Sequence, residues 1–216
     1  MSLLNVLLFP ERALVTTDTQ CKNYQSGRFF DGSKMFPIVH ANVLIAGRGD
    51  RVFADLVFQW YGGCELCAFD SIADGLSENL LVIGERYASI PGVHVGGNEL
   101  AIVGWSEKHR AMQGLSCVRP DSNSEFSVSR MVTGSIGPRL TADLSHVQCA
   151  DHVESLIEIA RAQTRQVRKE QPGLPIGGRL LLAELTRDTL SVRTIADLEA
   201  PPQGVGVAET LEPSAF

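Results

Sequence analysis

Residues 2–18 read SLLNVLLFPERALVTTD, and this stretch decides the fold. Two runs rich in residues that favour extended backbone, 3–8 and 13–17, flank the tight connection Pro10-Glu11-Arg12. Two such runs around a short break predict a β-hairpin. The first run is read as a strand that begins at the first residue. The apolar opening has no basic segment, and Pro10-Glu11 is followed by another apolar run instead of a small-residue cleavage site, so a signal peptide is not expected. Asp18 directly follows the second run.

Further along, residues 22–33 are polar and hold Gly27 and Gly32. Residues 35–39 and 42–46 form a second expected strand pair, closed by Gly47-Arg48-Gly49-Asp50. From Asp50 the period changes: Val52, Phe53, Leu56, Val57 and Trp60 recur at helical spacing, and Gly62-Gly63 stops the helix. A second helix is expected within residues 71–88, on Ile72, Leu76, Leu80, Leu81 and Ile83, although it contains Gly75 and Gly84. Residues 99–105, 111–119 and 126–133 read as strands. Residues 150–169 read as the clearest helix, with Val153, Leu156, Ile157, Ile159 and Ala160 on one stripe. A last strand pair is expected at 180–185 and 190–195. The three prolines and absent periodicity of residues 201–216 predict an extended or disordered tail. Strands and helices segregated in this way predict an α+β protein of two packed sheets with helices outside, in a single domain over residues 1–200.

Composition narrows the function. The chain has 216 residues, 44% hydrophobic and 20% charged, which suits one domain with a substantial core. A net charge of −6 gives no basic footprint for nucleic acid. No run approaches the ~18 apolar residues of a membrane helix, so a cytoplasmic protein is expected. Five cysteines, Cys21, Cys64, Cys67, Cys117 and Cys149, are an odd number and predict reduced thiols. Cys64, Cys67, Cys149 and His152 offer a Cys3His set, but their wide separation favours thiols that pack as small apolar residues over a zinc site. Glycines without phosphate-loop framing predict no nucleotide site, and neither cofactor nor metal is expected.

Chemistry enters at Ser2. If Met1 is removed, this residue carries a hydroxyl and a free α-amine. The amine titrates near 7.7–8.0 and is partly neutral at pH 7, so the nucleophile brings its own base. Asp18 follows sixteen residues after Ser2 (2 to 18), and Lys34 thirty-two residues after it (2 to 34). The text around them is Leu14-Val15-Thr16-Thr17-Asp18-Thr19-Gln20 and Lys34-Met35-Phe36. Ile45-Ala46-Gly47 and Thr133-Gly134-Ser135-Ile136-Gly137 follow.

In these intervals and local motifs the chain resembles proteasome β-subunits and the bacterial ATP-dependent peptidase rings, which are N-terminal-nucleophile hydrolases. The resemblance is strong over the first 50 residues and diffuse to about residue 195. It implies a four-layer αββα sandwich with Ser2 as nucleophile and peptide or other amide bonds as substrate. A homo-oligomeric ring, which in this family can work with an ATPase partner, is implied as well. Lys34 would lower the proton affinity of the Ser2 hydroxyl and keep the amine neutral, and Asp18 would orient Lys34. The Gly47 N–H would serve an oxyanion, and Ser135, in a Gly-Ser-x-Gly turn, would support the α-amine or a catalytic water. The chain also departs from the family. Gly177-Gly178 is present, but Gly173 and Ile176 stand where relatives carry a supporting Asp and Ser, and the nucleophile is Ser where peptidase subunits usually have Thr. A non-catalytic structural subunit and a small-amide amidohydrolase on the same fold are the competing expectations.

Overall fold

The computed structural model describes residues 2–23, 26–65, 68–93, 96–122, 124–141 and 152–198. The opening hairpin forms as its sequence predicts. Strand β1 (Leu4–Leu8) pairs antiparallel with β2 (Arg12–Asp18), from Leu4 opposite Thr17 to Leu8 opposite Ala13. The polar stretch that follows contains a ribbon not expected from sequence, β3 (Gln20–Lys22) against β4 (Phe29–Asp31). Strands β5 (Met35–Ile38) and β6 (Val43–Arg48) come next, joined by a 3-10 turn. Asn42 leaves that turn at φ 49°, a left-handed conformation that asparagine tolerates.

Helix α1 (Arg51–Gly62) starts where the period changes, and the Asp50 carboxylate caps it by accepting the Val52 N–H at 2.8 Å. Helix α2 (Phe69–Ala88) runs through both of its glycines. Strands β7 (Asn98–Ser106) and β8 (Ala111–Arg119) form the longest hairpin, followed by β9 (Ser127–Arg130) and β10 (Gly134–Gly137). Helix α3 (Val153–Glu170) and strands β11 (Arg179–Thr186) and β12 (Leu190–Asp197) complete the described chain.

The protein is thus mixed α+β, with three helices and three antiparallel sheets among the described residues. One five-stranded sheet has the order β10-β1-β2-β11-β12, the other β5-β6-β7-β8-β9, and the ribbon stands apart. Alternation along the strands divides the core. Leu4, Val6, Ala13, Val15, Ala183 and Leu185 of the first sheet meet Met35, Leu44, Ala46, Ala101, Val103 and Met112 of the second. The intervening residues of the second sheet, among them Val43, Ile45, Leu100 and Ile102, turn to the opposite face and pack under α1 and α2. On the far side of the first sheet, Leu14, Leu182, Leu3 and Leu180 receive Leu156, Ala160 and Val167 of α3. Each fully buried Leu or Ile contributes about 1.5–3 kcal/mol by leaving water. Among the described residues, no helix is long and apolar enough to cross a membrane. The expected tail, residues 201–216, lies outside the described residues.

Candidate active site

Four segments converge where β2 ends: the residues before β1, Asp18 itself, Lys34 just before β5, and the Gly-Gly turn that leads into β11. Asp18 is completely buried, and Lys34 is 8% exposed. The Asp18 Oδ1 accepts a hydrogen bond from Lys34 Nζ at 2.7 Å and another from the Leu3 N–H at 2.8 Å. Its Oδ2 accepts the Gly177 N–H at 3.0 Å. A single carboxylate thereby ties the peptide that follows Ser2 to the lysine and to the turn before β11. Burial pushes the Asp18 carboxyl up from its ordinary value, while the Lys34 charge and the two backbone donors pull the other way.

The turn is shaped to deliver that donor. Gly177 and Gly178 have φ of 141° and 72°, which residues with a side chain rarely adopt. A Cβ on Gly178 would also come within 2.5 Å of Thr19 Oγ1. The Thr19 hydroxyl donates to Asp31 Oδ1 at 2.7 Å and accepts the Arg179 N–H at 2.8 Å, pinning the β3–β4 ribbon to the same turn.

Ser2, 6% exposed, lies in the wall of a cavity of about 580 Å³ whose lining also includes Gln20, Cys21, Lys34, Gly47 and Arg51. Burial pushes the Cys21 thiol up, with Lys34 opposing, so this cysteine stays protonated at neutral pH and is a poor nucleophile. The structure therefore brings Ser2, Asp18, Lys34 and Gly47 to one place.

Two expected roles need correction. The Gly47 N–H does not stand free for an oxyanion, because it donates to the Lys34 carbonyl at 3.0 Å. The β5–β6 ladder extends one residue past β5 and consumes it. Ser135 is not at the site. Residues 134–137 form no isolated turn but lie flat along the open edge of β1, with Ser135 opposite Val6. That is four residues from Ser2, roughly 13 Å at about 3.3 Å per strand residue. An exposed strand edge demands backbone partners, and this segment supplies them.

Sequence reasoning assigned no role to the amides of Leu3 and Gly177, to Cys21 or to Arg51. The Gly177-Gly178 pair was the available signal for one of these, since consecutive glycines mark a backbone that must turn sharply beside something. Of the Cys3His set, Cys67 and Cys149 lie outside the described residues, and among the described residues no group of three or more His, Cys, Asp or Glu is placed to hold a metal ion. No protein-family model matches the sequence, and no curated protein matches it significantly.

Proposed function

We propose that this protein is an N-terminal-nucleophile hydrolase of the proteasome β-subunit type, cleaving amide bonds with Ser2 after removal of Met1. The observation that carries the reading is the Asp18 oxygen shared by the Lys34 ammonium at 2.7 Å and the Leu3 N–H at 2.8 Å. This bond fixes the residue next to the nucleophile against the lysine that would tune it. In the reaction the Ser2 α-amine takes the hydroxyl proton, directly or through one water, as the oxygen attacks a carbonyl. The positive charge of Lys34 favours the alkoxide and keeps the amine neutral. The same proton then goes to the leaving amine, and water hydrolyses the Ser2 ester. The reading extends to an αββα sandwich, to a cytoplasmic location and to a homo-oligomeric ring acting on peptides, with an ATPase as one class of partner.

A second reading, a non-catalytic structural subunit on the same fold, draws on the engaged Gly47 N–H and on Gly173 and Ile176 in place of polar supports. A small-amide amidohydrolase would keep Ser2 chemistry without peptide specificity. Intact mass identifies the first residue of the purified protein. Turnover of a panel of peptide and small-amide substrates by the processed protein, lost in Ser2→Ala and in protein that retains Met1, is the expected result. A processed protein that turns over none of them supports the structural reading.

A further inference from the structure

The hydrolase reading needs a free amine on Ser2, and the fold bears on when that amine is made. Hydrolysis of the Met1–Ser2 amide consumes one water and releases methionine, leaving the amine on Ser2. An aminopeptidase that does this has to hold the carbonyl of residue 1 and the backbone of residue 2 in its own cleft. In most domains the first residues are loosely held at the surface and offer that length of chain at any time. Here they do not. Ser2 is 6% exposed and Leu3 is completely buried. The cavity that Ser2 lines, at about 580 Å³, has the size of a small-ligand pocket and admits no second protein.

The segment is also held from several sides. Leu3 packs with Ala160 and Val167 of α3 and with Ile176, Leu180 and Leu198. Its N–H is bonded to the completely buried Asp18 at 2.8 Å. One residue on, Leu4 stands opposite Thr17 of β2 and opposite Gly137 of β10, so β1 is an interior strand with no free edge from which to peel. Drawing residues 2 and 3 out breaks a charge-assisted bond and exposes a leucine, which together slow access about a hundredfold or more. Apart from Thr17 and Asp18, these partners lie late in the chain, between residues 137 and 198. A ribosome takes roughly 10–40 s to reach that point, and until then the terminus stays open.

We infer that Met1 is removed only while the chain is being synthesised or is unfolded, and that folding locks the N-terminus in whichever state it then has. A molecule that folds with Met1 keeps it and never gains the Ser2 amine, so the active fraction is set at folding. That the amine matters rests on the hydrolase reading, whereas the order of trimming and folding rests on the burial of Ser2 and Leu3 alone.

Order of addition in cell-free synthesis tests this. Purified methionine aminopeptidase is supplied either during translation or after release and folding, and intact mass reads the first residue. The free peptide Met-Ser-Leu-Leu-Asn-Val gives the unhindered rate, and a thermal melt shows that the chain is folded before late addition. Enzyme present during translation is expected to yield chains that begin at Ser2. Added afterwards, it is expected to trim the wild-type chain about a hundredfold more slowly than the peptide, or slower still. Leu180→Asp puts a charge into the packing around Leu3 and should restore late trimming, whether or not that variant reaches the native fold. A slowing of less than about tenfold for folded wild type overturns the inference. Loss of Met1 from folded chain with no peptidase added does so too, as does a Leu180→Asp chain that resists as well as wild type. Because the readout needs no turnover, a chain trimmed only during translation that then cleaves no amide would sink the hydrolase reading and leave the order standing. Late trimming that yields an active hydrolase would do the reverse.

Discussion

Two buried polar clusters flank the opening hairpin, and they are finished to different degrees. In the first, Asn5 on β1 and Gln163 on α3 form a reciprocal amide pair. The Asn5 Nδ2 donates to Gln163 Oε1 at 2.9 Å and to Thr16 Oγ1 at 3.2 Å, and the Gln163 Nε2 returns a bond to Asn5 Oδ1 at 2.8 Å. The Gly137 N–H and the Pro138 carbonyl fill the remaining positions at 3.2 and 2.8 Å. Each side-chain polar atom of the pair is used, and every member is neutral. In the second cluster, Asp18 takes three donors, but Lys34 gives only one of its three ammonium protons to a protein acceptor among the described residues. The unspent donors belong to a residue in the wall of the cavity that also holds Ser2. A saturated neutral network rigidifies and specifies packing. A buried ion pair with donor capacity left over, at the edge of a cavity, is a poor way to gain stability and a good way to hold a reacting group.

The two clusters should respond differently when broken. The largest effect is expected from Asp18→Ala, which strands the Lys34 charge in a buried site. It should cost about 3–5 kcal/mol in urea denaturation and eliminate any Ser2 reactivity with it. Gln163→Ala should cost about 2–3 kcal/mol, through the lost bonds to Asn5 and Pro138 and the space left under α3. If Ser2 reactivity survives that change in protein that is still folded, the division into a structural cluster and a functional one holds. If Gln163→Ala silences Ser2 as fully as Asp18→Ala does, the division fails.

How much of this was legible in the sequence depends on how local each feature is. The hairpin, the Asp50 start of α1 and the convergence of Ser2, Asp18 and Lys34 were readable, because alternation, capping and fixed intervals are properties of short segments. The β3–β4 ribbon was not. Its strands are three residues each within a polar stretch, and Thr19 and Asp31 hold them by contacts to the remote turn at Gly178. The resemblance implied a turn at Gly134-Ser135-Ile136-Gly137, and only the open edge of β1, more than a hundred residues away in the chain, makes it a strand. The fate of the Gly47 N–H was invisible for a related reason, since it depends on how far the β5–β6 ladder extends and not on residue type.

Smaller effects refine the comparison within β2 and beyond it. The Thr17 hydroxyl is completely buried and has no hydrogen-bond partner among the described residues. Replacing it by the isosteric valine removes an unpaid desolvation, so Thr17→Val should leave stability unchanged or raise it by about 1 kcal/mol. A loss greater than that would mean the hydroxyl is bonded in solution, for example to a buried water.

At the start of α2, partial burial acts to raise the Asp70 carboxyl. The Ser106 hydroxyl at 2.6 Å, the amides of Lys108 and Glu107 and the Lys108 charge outweigh it, so the group is held below its ordinary value. A carboxylate lowered in the folded state adds stability above its ordinary pKa and loses it as the pH falls through the folded value. The gap in melting temperature between wild type and Asp70→Asn should therefore be small, present at neutral pH, and close on acidification through the carboxylate range. A gap that widens in acid would reverse the assigned direction.

The central claim is that Ser2, freed at its amine and held beside the Lys34–Asp18 pair, is a nucleophile. Electrophiles selective for N-terminal nucleophiles test it most directly, applied to protein shown by intact mass to begin at Ser2, with the adduct located by peptide mass spectrometry. The predicted result is a single label on Ser2 that disappears in Lys34→Ala and in protein that keeps Met1. A fully processed wild-type chain that takes no label at Ser2 across several electrophile classes, or one whose label persists undiminished in Lys34→Ala, would contradict it.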